Sequence, residues 1–253
     1  MKAFCFTVDD NIRFFKEITE NKFSSIFEHP YLKMYKRLHE KFNLKIQLNV
    51  FYRLKDFNLS LFSEKYADEF RKNAHWLKFS FHSDNEKSNI YMVSPYEEVF
   101  EHLKRVNGEI LRFASKENLA KTTTVHCCRT TPEGLTAIKD NGVKGLLGLW
   151  DNGKNPRISY NLDCDGIYKG EIIKENDMSF SKIDIILNSY KKEEILTQLE
   201  NLKSRDFIKI MIHEQYFYAD YKNYQPDFED KIASAFDFLI KNGYESVFFE
   251  DMI

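Results

Sequence analysis

The sequence has few of the features that mark disulfide-rich, membrane-spanning or nucleic-acid-binding proteins. Its four cysteines in 253 residues form no Cys-X-X-Cys pair, which argues against both a disulfide framework and a zinc ribbon. No apolar run approaches the roughly 18 residues that a membrane helix needs. Lys and Arg number 37 against 39 Asp and Glu. No basic block is long enough to neutralise a run of phosphates, so we expect no nucleic-acid partner.

The start of the chain bears on targeting, and its composition bears on the number of domains. The opening MKAFCFTVDD passes from one lysine directly into a strand-like alternation, unlike a secretory signal, which predicts a cytoplasmic protein. Hydrophobic residues make up 43% of the chain and aromatic residues 15%, enough to bury a large core. Because no linker or repeat interrupts the sequence, we predict a single domain over residues 1–253 and leave its oligomeric state open.

Short apolar runs alternate with segments of helical spacing, an order typical of βα units around a mostly parallel sheet. Asn, Gly and Asp interrupt this alternation between residues 151 and 181, where we predict an insertion with a small hairpin. Eight strands are predicted, at residues 2–8, 45–52, 77–82, 122–126, 145–150, 182–188, 207–213 and 246–249. Helices are predicted at residues 30–42, 64–73, 95–114, 131–141, 192–203 and 227–242.

Ionisable residues stand at the carboxyl ends of four of the predicted strands. Asp9 and Asp10 end the first, His82 the third, His126 the fourth and His213 the seventh. In α/β barrels and open α/β sheets, side chains that leave the strands at this end converge on one mouth, where ligands bind. The coincidence predicts that all five residues surround a single cavity.

The segment FSFHSDNE has the spacing of a metal site. Glu86 follows His82 by four residues, so a turn of helix between them directs both side chains at one ion. Asp10 from the first strand completes an open three-ligand site for a divalent cation. The aromatic residues after His213, beginning at Tyr216, are suited to stacking on sugar faces or to packing their own loop.

In motif order, the sequence resembles the polysaccharide deacetylases with NodB homology, also called carbohydrate esterase family 4. FTVDDN resembles the family's TFDDG motif, and HSDNE resembles its second motif, His, Ser or Thr, two arbitrary residues, and His. VHCCRTTPEGLTAIKDNGVKGLLGLW is similar to the third motif without its Arg-Pro pair, and IKIMIHEQ resembles the last, a strand that ends in a catalytic His. The resemblance spans most of the chain and implies a distorted (β/α)7–8 barrel.

The resemblance also implies roles for individual residues. Asp9 is then the catalytic base and His213 the general acid, while Asp10 and His82 bind the metal. Glu86 stands where the family has a second metal-binding His, and His126 is a further candidate ligand. With Glu86 as third ligand the site still suits zinc, but two carboxylates and one imidazole favour manganese or iron more than two imidazoles do. A nitrogen from His126 would restore the preference for zinc.

Departures from the family pattern indicate a divergent branch. Asn11 replaces the Gly after the Asp pair, Glu86 replaces a His, and the Arg-Pro motif is absent. We therefore predict a metal-dependent hydrolase that removes an acetyl group from an N-acetylated sugar or glycan precursor. The alternatives are an inactive carbohydrate-binding barrel and a metal hydrolase for another C–N or glycosidic bond. Candidate substrate contacts are Trp150, Asp151, Glu214 and Tyr216.

Overall fold

The computed structural model describes residues 2–87, 90–150 and 158–253. Its strands are β1 (Lys2–Asn11), β2 (Ile46–Phe51), β3 (Arg53–Leu54), β4 (Phe57–Asn58), β5 (Leu77–Ser83), β6 (Thr122–Thr123), β7 (Gly145–Gly148), β8 (Ile173–Glu175), β9 (Met178–Lys182), β10 (Ile185–Ile186), β11 (Phe207–His213) and β12 (Tyr244–Ser246). Its α-helices are α1 (Arg13–Asn21), α2 (Pro30–Phe42), α3 (Ala67–Lys72), α4 (Tyr96–Phe113), α5 (Pro132–Asp140), α6 (Asp165–Tyr168), α7 (Lys192–Leu202) and α8 (Phe228–Lys241).

Strand β1 is the centre of the larger sheet, whose order is β10-β11-β1-β2-β5. Parallel β11 follows one edge of β1 from Ala3 to Asp9. The other edge is shared, because β12 pairs with Lys2–Phe4 and β2 pairs from Thr7 onwards. A second sheet has the order β6-β7-β9-β8, parallel except for β8 against β9. The parallel α/β architecture predicted from the sequence is therefore present.

The predicted closed (β/α)7–8 barrel is not confirmed. Within the described residues, one isolated bridge, between Phe79 and Leu119, joins the region of β5 to the start of the second sheet. Strands β6 and β10 are two residues long, so no continuous ladder of backbone hydrogen bonds closes the ring. The two sheets nevertheless share an interior, where Cys5, Leu147 and Met211 pack together.

Several predicted strands are shorter or displaced in the structure. The prediction for residues 122–126 was too long, because β6 ends at Thr123 and residues 126–128 form a 3₁₀ turn. The prediction for residues 182–188 was wrong in detail, since the chain there ends β9, forms β10 and enters a 3₁₀ turn at Leu187–Ser189. The last strand lies earlier than predicted, at Tyr244–Ser246.

Helices begin where the sequence predicts them when a capping residue or a proline marks the first turn. Pro30 and Pro132 occupy first turns, and the side chain of Thr131 accepts a hydrogen bond from the Gly134 N–H. The helix predicted at residues 64–73 is a 3₁₀ turn at Glu64–Tyr66 followed by α3. None of the described helices combines the length and apolarity that a membrane crossing requires.

The hairpin predicted between residues 151 and 181 is confirmed as β8 and β9, which pair antiparallel from Ile173 to Phe180. Strand β9 also pairs in parallel with β7, from Gly145 to Gly148. The second half of this stretch is therefore part of the second sheet rather than a separate surface loop.

Candidate active site

A β-bulge at the carboxyl end of β1 positions the two aspartates. Val8 pairs with Leu48 and Asn11 with Val50, so β1 carries one residue more than β2 over this interval. Asp10 adopts the left-handed conformation, with φ of 65°, which costs a non-glycine residue conformational energy. Neighbouring side chains on a regular strand point to opposite faces. The bulge turns Asp10 towards the histidines described below.

Asn11 holds this bulge in place. Its buried Nδ2 donates to the carbonyl oxygens of Val8 at 2.6 Å and Asn49 at 3.1 Å. Its Oδ1 accepts from the Tyr31 hydroxyl at 2.8 Å. Both Nδ2 and Oδ1 of Asn11 thus have hydrogen-bond partners, which lie on the bulge or on a neighbouring element. A glycine here has no side chain to make these bonds.

A second irregularity, in β5, presents His82. Val50 pairs with Phe81 and Phe51 with Ser83, so His82 is the extra residue of β5. Its Nδ1 lies 2.5 Å from the carbonyl oxygen of Thr124. Because a carbonyl only accepts, Nδ1 carries the hydrogen and the neutral ring keeps its lone pair on Nε2. That Nε2 lies 3.0 Å from Asp10 Oδ1.

His126 joins Asp10 and His82 through a turn instead of a strand end. The next two residues, Cys127 and Cys128, have φ of 61° and 56°, which turns the chain sharply after His126. His126 Nδ1 lies 3.2 Å from His82 Nε2 and 3.5 Å from Asp10 Oδ1. One oxygen and two nitrogens therefore converge on one point, and we call Asp10, His82 and His126 the ligand cluster.

The ligand cluster favours positive charge at its centre. Burial alone raises the pKa of Asp10, but hydrogen bonds from His126 and His82 outweigh it and hold that pKa well below its usual range. Burial lowers the pKa of His126, yet its interactions with Asp10 and Cys127 prevail and raise it to about 10. These hydrogen bonds need protons on the imidazole nitrogens, and a divalent cation bound at the same point would take the place of those protons. The donor set, one carboxylate and two imidazoles, fits a divalent transition metal.

Gln215 supports the cluster from β11's end, and sequence reasoning missed it. Its Nε2 donates to Asp10 Oδ2 at 2.8 Å, which leaves Oδ1 for the centre of the cluster. Such outer partners orient metal-binding carboxylates. Its position two residues after His213 was the available signal, since it follows a strand end that the sequence already marked.

Asp9 and His213 lie side by side at the carboxyl ends of β1 and β11, where they are paired in register. Asp9 is buried and accepts from Asn49 Nδ2 at 2.6 Å. Burial raises the pKa of Asp9, although electrostatic interactions with His82 and His213 and the Asn49 hydrogen bond act against it. His213 is half-buried, and Nδ1 of its ring lies 2.9 Å from Asn188 Oδ1.

A cleft of about 630 Å³ opens beside the ligand cluster. Asp10 and His126 reach its surface, and Asp9 and His82 are buried. Glu86 is exposed on the cleft wall but is not part of the ligand cluster, so the structure does not bring it to the ion site predicted from the i, i+4 spacing. The loop after Ser83 is not helical, and the chain therefore does not direct Glu86 at the same point as His82.

The remaining predicted substrate contacts have different environments. Trp150 is 1% exposed and its Nε1 donates to the Leu162 carbonyl at 2.7 Å, an arrangement typical of core packing. Tyr216 is half-buried, with its ring centroid 6.2 Å from that of His213. Asp151 lies outside the described residues.

Glu214 is fully buried at the start of α1. Its carboxylate accepts from the N–H groups of Ile12, Arg13 and Phe14 at 2.7, 3.0 and 2.9 Å, and from the Tyr218 hydroxyl at 3.0 Å. Glu214 therefore caps α1 from 200 residues away, where the sequence predicted a substrate contact. Because this cap lies 200 residues away along the chain, α1 has no local cap that would mark its start in the sequence.

Known proteins resemble this chain in structure but not detectably in sequence. No protein-family model matches the sequence, and no curated protein matches it. A putative polysaccharide deacetylase from Mycobacterium smegmatis superposes with a TM-score of 0.59 at 8% identity, over 99% of this chain and 89% of that one. A family 4 acetyl xylan esterase from Clostridium thermocellum, in complex with a cobalt ion, gives 0.53 at 14% identity, over 99% and 90%.

A 4-α-glucanotransferase from Thermococcus litoralis also superposes, with a TM-score of 0.63 at 13% identity. The match covers 99% of this chain, which spans 40% of the length of the glucanotransferase. At these identities the matches establish the fold. The chain thus has the fold of the carbohydrate esterase family 4 polysaccharide deacetylases, which confirms at the level of fold the resemblance indicated by its motifs.

Proposed function

We propose that this protein is a metal-dependent hydrolase that removes the acetyl group from an N-acetylated sugar or glycan precursor. The observation that carries the proposal is the ligand cluster, in which Asp10 Oδ1, His82 Nε2 and His126 Nδ1 lie within 3.5 Å of one another. The names of two structural neighbours, a putative polysaccharide deacetylase and an acetyl xylan esterase, support deacetylation as its chemistry.

Asp10, His82 and His126 hold the metal ion in this proposal. Zinc is the first candidate, because two imidazole nitrogens and one carboxylate oxygen are a ligand set that leaves a coordination position open, and manganese and iron are the alternatives. When bound, the ion acts as a Lewis acid that polarises an acyl carbonyl and acidifies water. Glu86 remains a candidate outer contact on the cleft wall.

Asp9 is the general base. Its buried carboxylate is fixed by Asn49 and has a raised pKa, which brings its basicity closer to the operating pH than that of an exposed aspartate. In this role Asp9 takes a proton from the attacking water while the hydroxyl oxygen bonds to the acyl carbon.

His213 is the general acid. It is the register partner of Asp9 on the neighbouring strand β11, so base and acid lie side by side at the carboxyl end of the sheet. The C–N bond breaks as His213 delivers a proton to the departing nitrogen, because an amide anion is too poor a leaving group in water. Tyr216, beside the His213 ring, is the candidate surface for stacking on a sugar.

The test is release of acetate by the zinc-, manganese- or iron-loaded protein from N-acetylated chito-oligosaccharides, with O-acetylated xylan as a second substrate. Asp9→Asn and His213→Ala are each expected to lower the rate by about 10² to 10⁴, with metal affinity within about tenfold of the wild type. Asn242→Asp, in an exposed position at the end of α8, is the matched control. If the wild type releases no acetate with any of these metals, or both variants retain wild-type rates, the proposal is wrong.

A second candidate function is hydrolysis or transfer of a glycosidic bond, which the structural similarity to the glucanotransferase favours. The ends of β1 and β11 distinguish it, because the residue opposite Asp9 is a histidine and Asp10 already belongs to the ligand cluster. Two free carboxyl groups flanking a bond are what that chemistry requires. In the presence of a chelator, reducing-end release from maltooligosaccharides tests hydrolysis, and their redistribution into longer and shorter chains tests transfer. A third outcome, carbohydrate binding without turnover, identifies an inactive member of this fold.

A further inference from the structure

Asn188 contacts the His213 side chain and its backbone through a single atom. Asn188 Oδ1 lies 3.1 Å from the His213 backbone nitrogen and 2.9 Å from the ring Nδ1. A backbone N–H only donates, so the amide atom that faces it is the oxygen. The same oxygen must then accept from Nδ1, which therefore carries a hydrogen. In neutral His213 this leaves the lone pair on Nε2.

Asn188 is itself held rigidly in the turn after β10. Its carbonyl oxygen accepts from Gln225 Nε2 at 2.8 Å, and the Gln225 N–H donates to the Tyr216 carbonyl at 2.9 Å. Lys231, which is almost completely buried, donates to Gln225 Oε1 at 2.8 Å. Gln225 thus ties the turn that carries Asn188 to the loop that carries Tyr216.

Tyr216 completes the connection. Its pKa is raised by burial and by Tyr221 and Asp10, and a hydrogen bond with the Asn188 side chain acts in the opposite direction. The two contacts of the Asn188 oxygen with His213 fix the orientation of the amide, and Tyr216 lies beside both residues.

We propose that Asn188 is a positioning residue for His213, which fixes the ring with hydrogen on Nδ1 and directs Nε2 at the substrate. The proposal rests on the deacetylase function above for its catalytic part. In that reaction protonated His213 gives its Nε2 proton to the substrate nitrogen as the C–N bond breaks. The water hydroxyl remains on the acyl carbon and the second water proton goes to Asp9. Acetate and a free amine are the products, and His213 returns to its Nδ1–H form.

The first test reads the tautomer directly and needs no substrate. Long-range ¹H–¹⁵N spectra of zinc-loaded protein labelled at histidine distinguish protonated from bare ring nitrogens, and the His213 signals are assigned from their loss in His213→Gln. We expect Nδ1–H and a bare Nε2 in the neutral wild-type ring. Hydrogen on Nε2 in the wild type overturns the proposal whether or not any variant folds.

Variants of Asn188 test what the contact does. Asn188→Asp keeps an oxygen acceptor and is expected to keep the Nδ1–H tautomer, with kcat within about tenfold of the wild type. Asn188→Leu removes the acceptor and is expected to lose the single tautomer and to lower kcat by about 10- to 100-fold, with KM within about threefold. Asn188→Ala serves if the leucine variant does not fold, and Asn242→Leu is the control.

The outcomes separate this inference from the proposed function. An unchanged tautomer and kcat in both Asn188→Leu and Asn188→Ala overturn the positioning role while leaving the deacetylase proposal intact. A wild type with the Nδ1–H tautomer, lost in the leucine variant, but with no acetate release supports the orientation by Asn188. That result overturns the deacetylase function and with it the catalytic part of the inference.

Discussion

The two ends of the β1-centred sheet share β1 and β11 but differ in the regularity of their strand pairing. At the amino end, β1 pairs with β11 and β12 without a register shift. At the carboxyl end, β1 and β5 each carry a bulge and Asp10 is left-handed. At the regular end the strands pair and pack in the core. At the irregular end the bulges direct side chains from separate elements towards one point.

The two ends also differ in how their buried ionisable side chains are paired. At the amino end, the fully buried Lys209 donates to Asp184 at 2.9 Å and to the Gly170 carbonyl at 2.7 Å, so the protein neutralises its own buried cation. At the carboxyl end, the ligand cluster places one carboxylate oxygen and two imidazole nitrogens within 3.5 Å of one another. The first arrangement pairs a buried cation within the protein, and the second offers its ligand atoms to a cation from outside.

The largest effect on stability is expected from a substitution in the buried ion pair at the amino end. Asp184→Ala removes the carboxylate that pairs with both Lys209 and Arg205, and a buried ion left unpaired costs about 3–5 kcal/mol. We expect a loss of that size in the free energy of unfolding from urea titration, with metal affinity unchanged. Asp237→Ala, which breaks an exposed pair with Lys241, is the control and is expected to cost less than about 1 kcal/mol. Equal effects of the two changes contradict a structural role for the amino end.

The next effect belongs to the carboxyl end. His82→Ala deletes one of three metal ligands and is expected to weaken zinc binding at least about 100-fold, which is about 2.7 kcal/mol. Its effect on unfolding of the metal-free protein is expected to be smaller than that of Asp184→Ala. Calorimetric titration of chelator-treated protein measures the affinity. The exposed His75→Ala is the control, and the same affinity in His82→Ala as in this control contradicts the site.

A smaller effect on the same end is expected from Gln215. Gln215→Leu leaves Asp10 Oδ2 without its donor, and outer partners of this kind are worth about 10- to 100-fold in metal affinity. We expect about tenfold weaker zinc binding by the same titration, with Gln198→Leu on α7 as control. Unchanged affinity restricts the metal site to the ligand cluster alone.

The smallest effect is expected at Cys5, near Lys209. Burial raises the pKa of the Cys5 thiol to about 12, although Lys209 opposes the shift. Only about one thiol in 10⁴ is then ionised at pH 8, and the thiolate is the reactive form. We expect iodoacetamide at pH 8 to leave Cys5 unmodified in the native protein and to modify it in urea, as read by mass spectrometry of peptides. Rapid modification in the native state shows that the amino end opens.

The amino and carboxyl ends also differ in how far the sequence predicts them. Strand identity and the carboxyl-end position of Asp10 and His82 follow from apolar runs and their last residues. The position of His126 beside Asp10 and His82 does not, because it depends on a turn in which Cys127 and Cys128 adopt the left-handed backbone conformation. A strand was predicted there instead. Glu214 illustrates the same limit, since its role as a cap for α1 depends on contacts 200 residues away.

The most direct test of the ligand cluster is an anomalous difference map from crystals of the zinc-loaded protein, recorded at the zinc edge. We expect one peak bound by Asp10 Oδ1, His82 Nε2 and His126 Nδ1 at about 2.0–2.2 Å. A zinc peak held by other residues, or no peak among these three atoms in protein that binds zinc in solution, contradicts the assignment of a metal centre to the carboxyl end of the sheet.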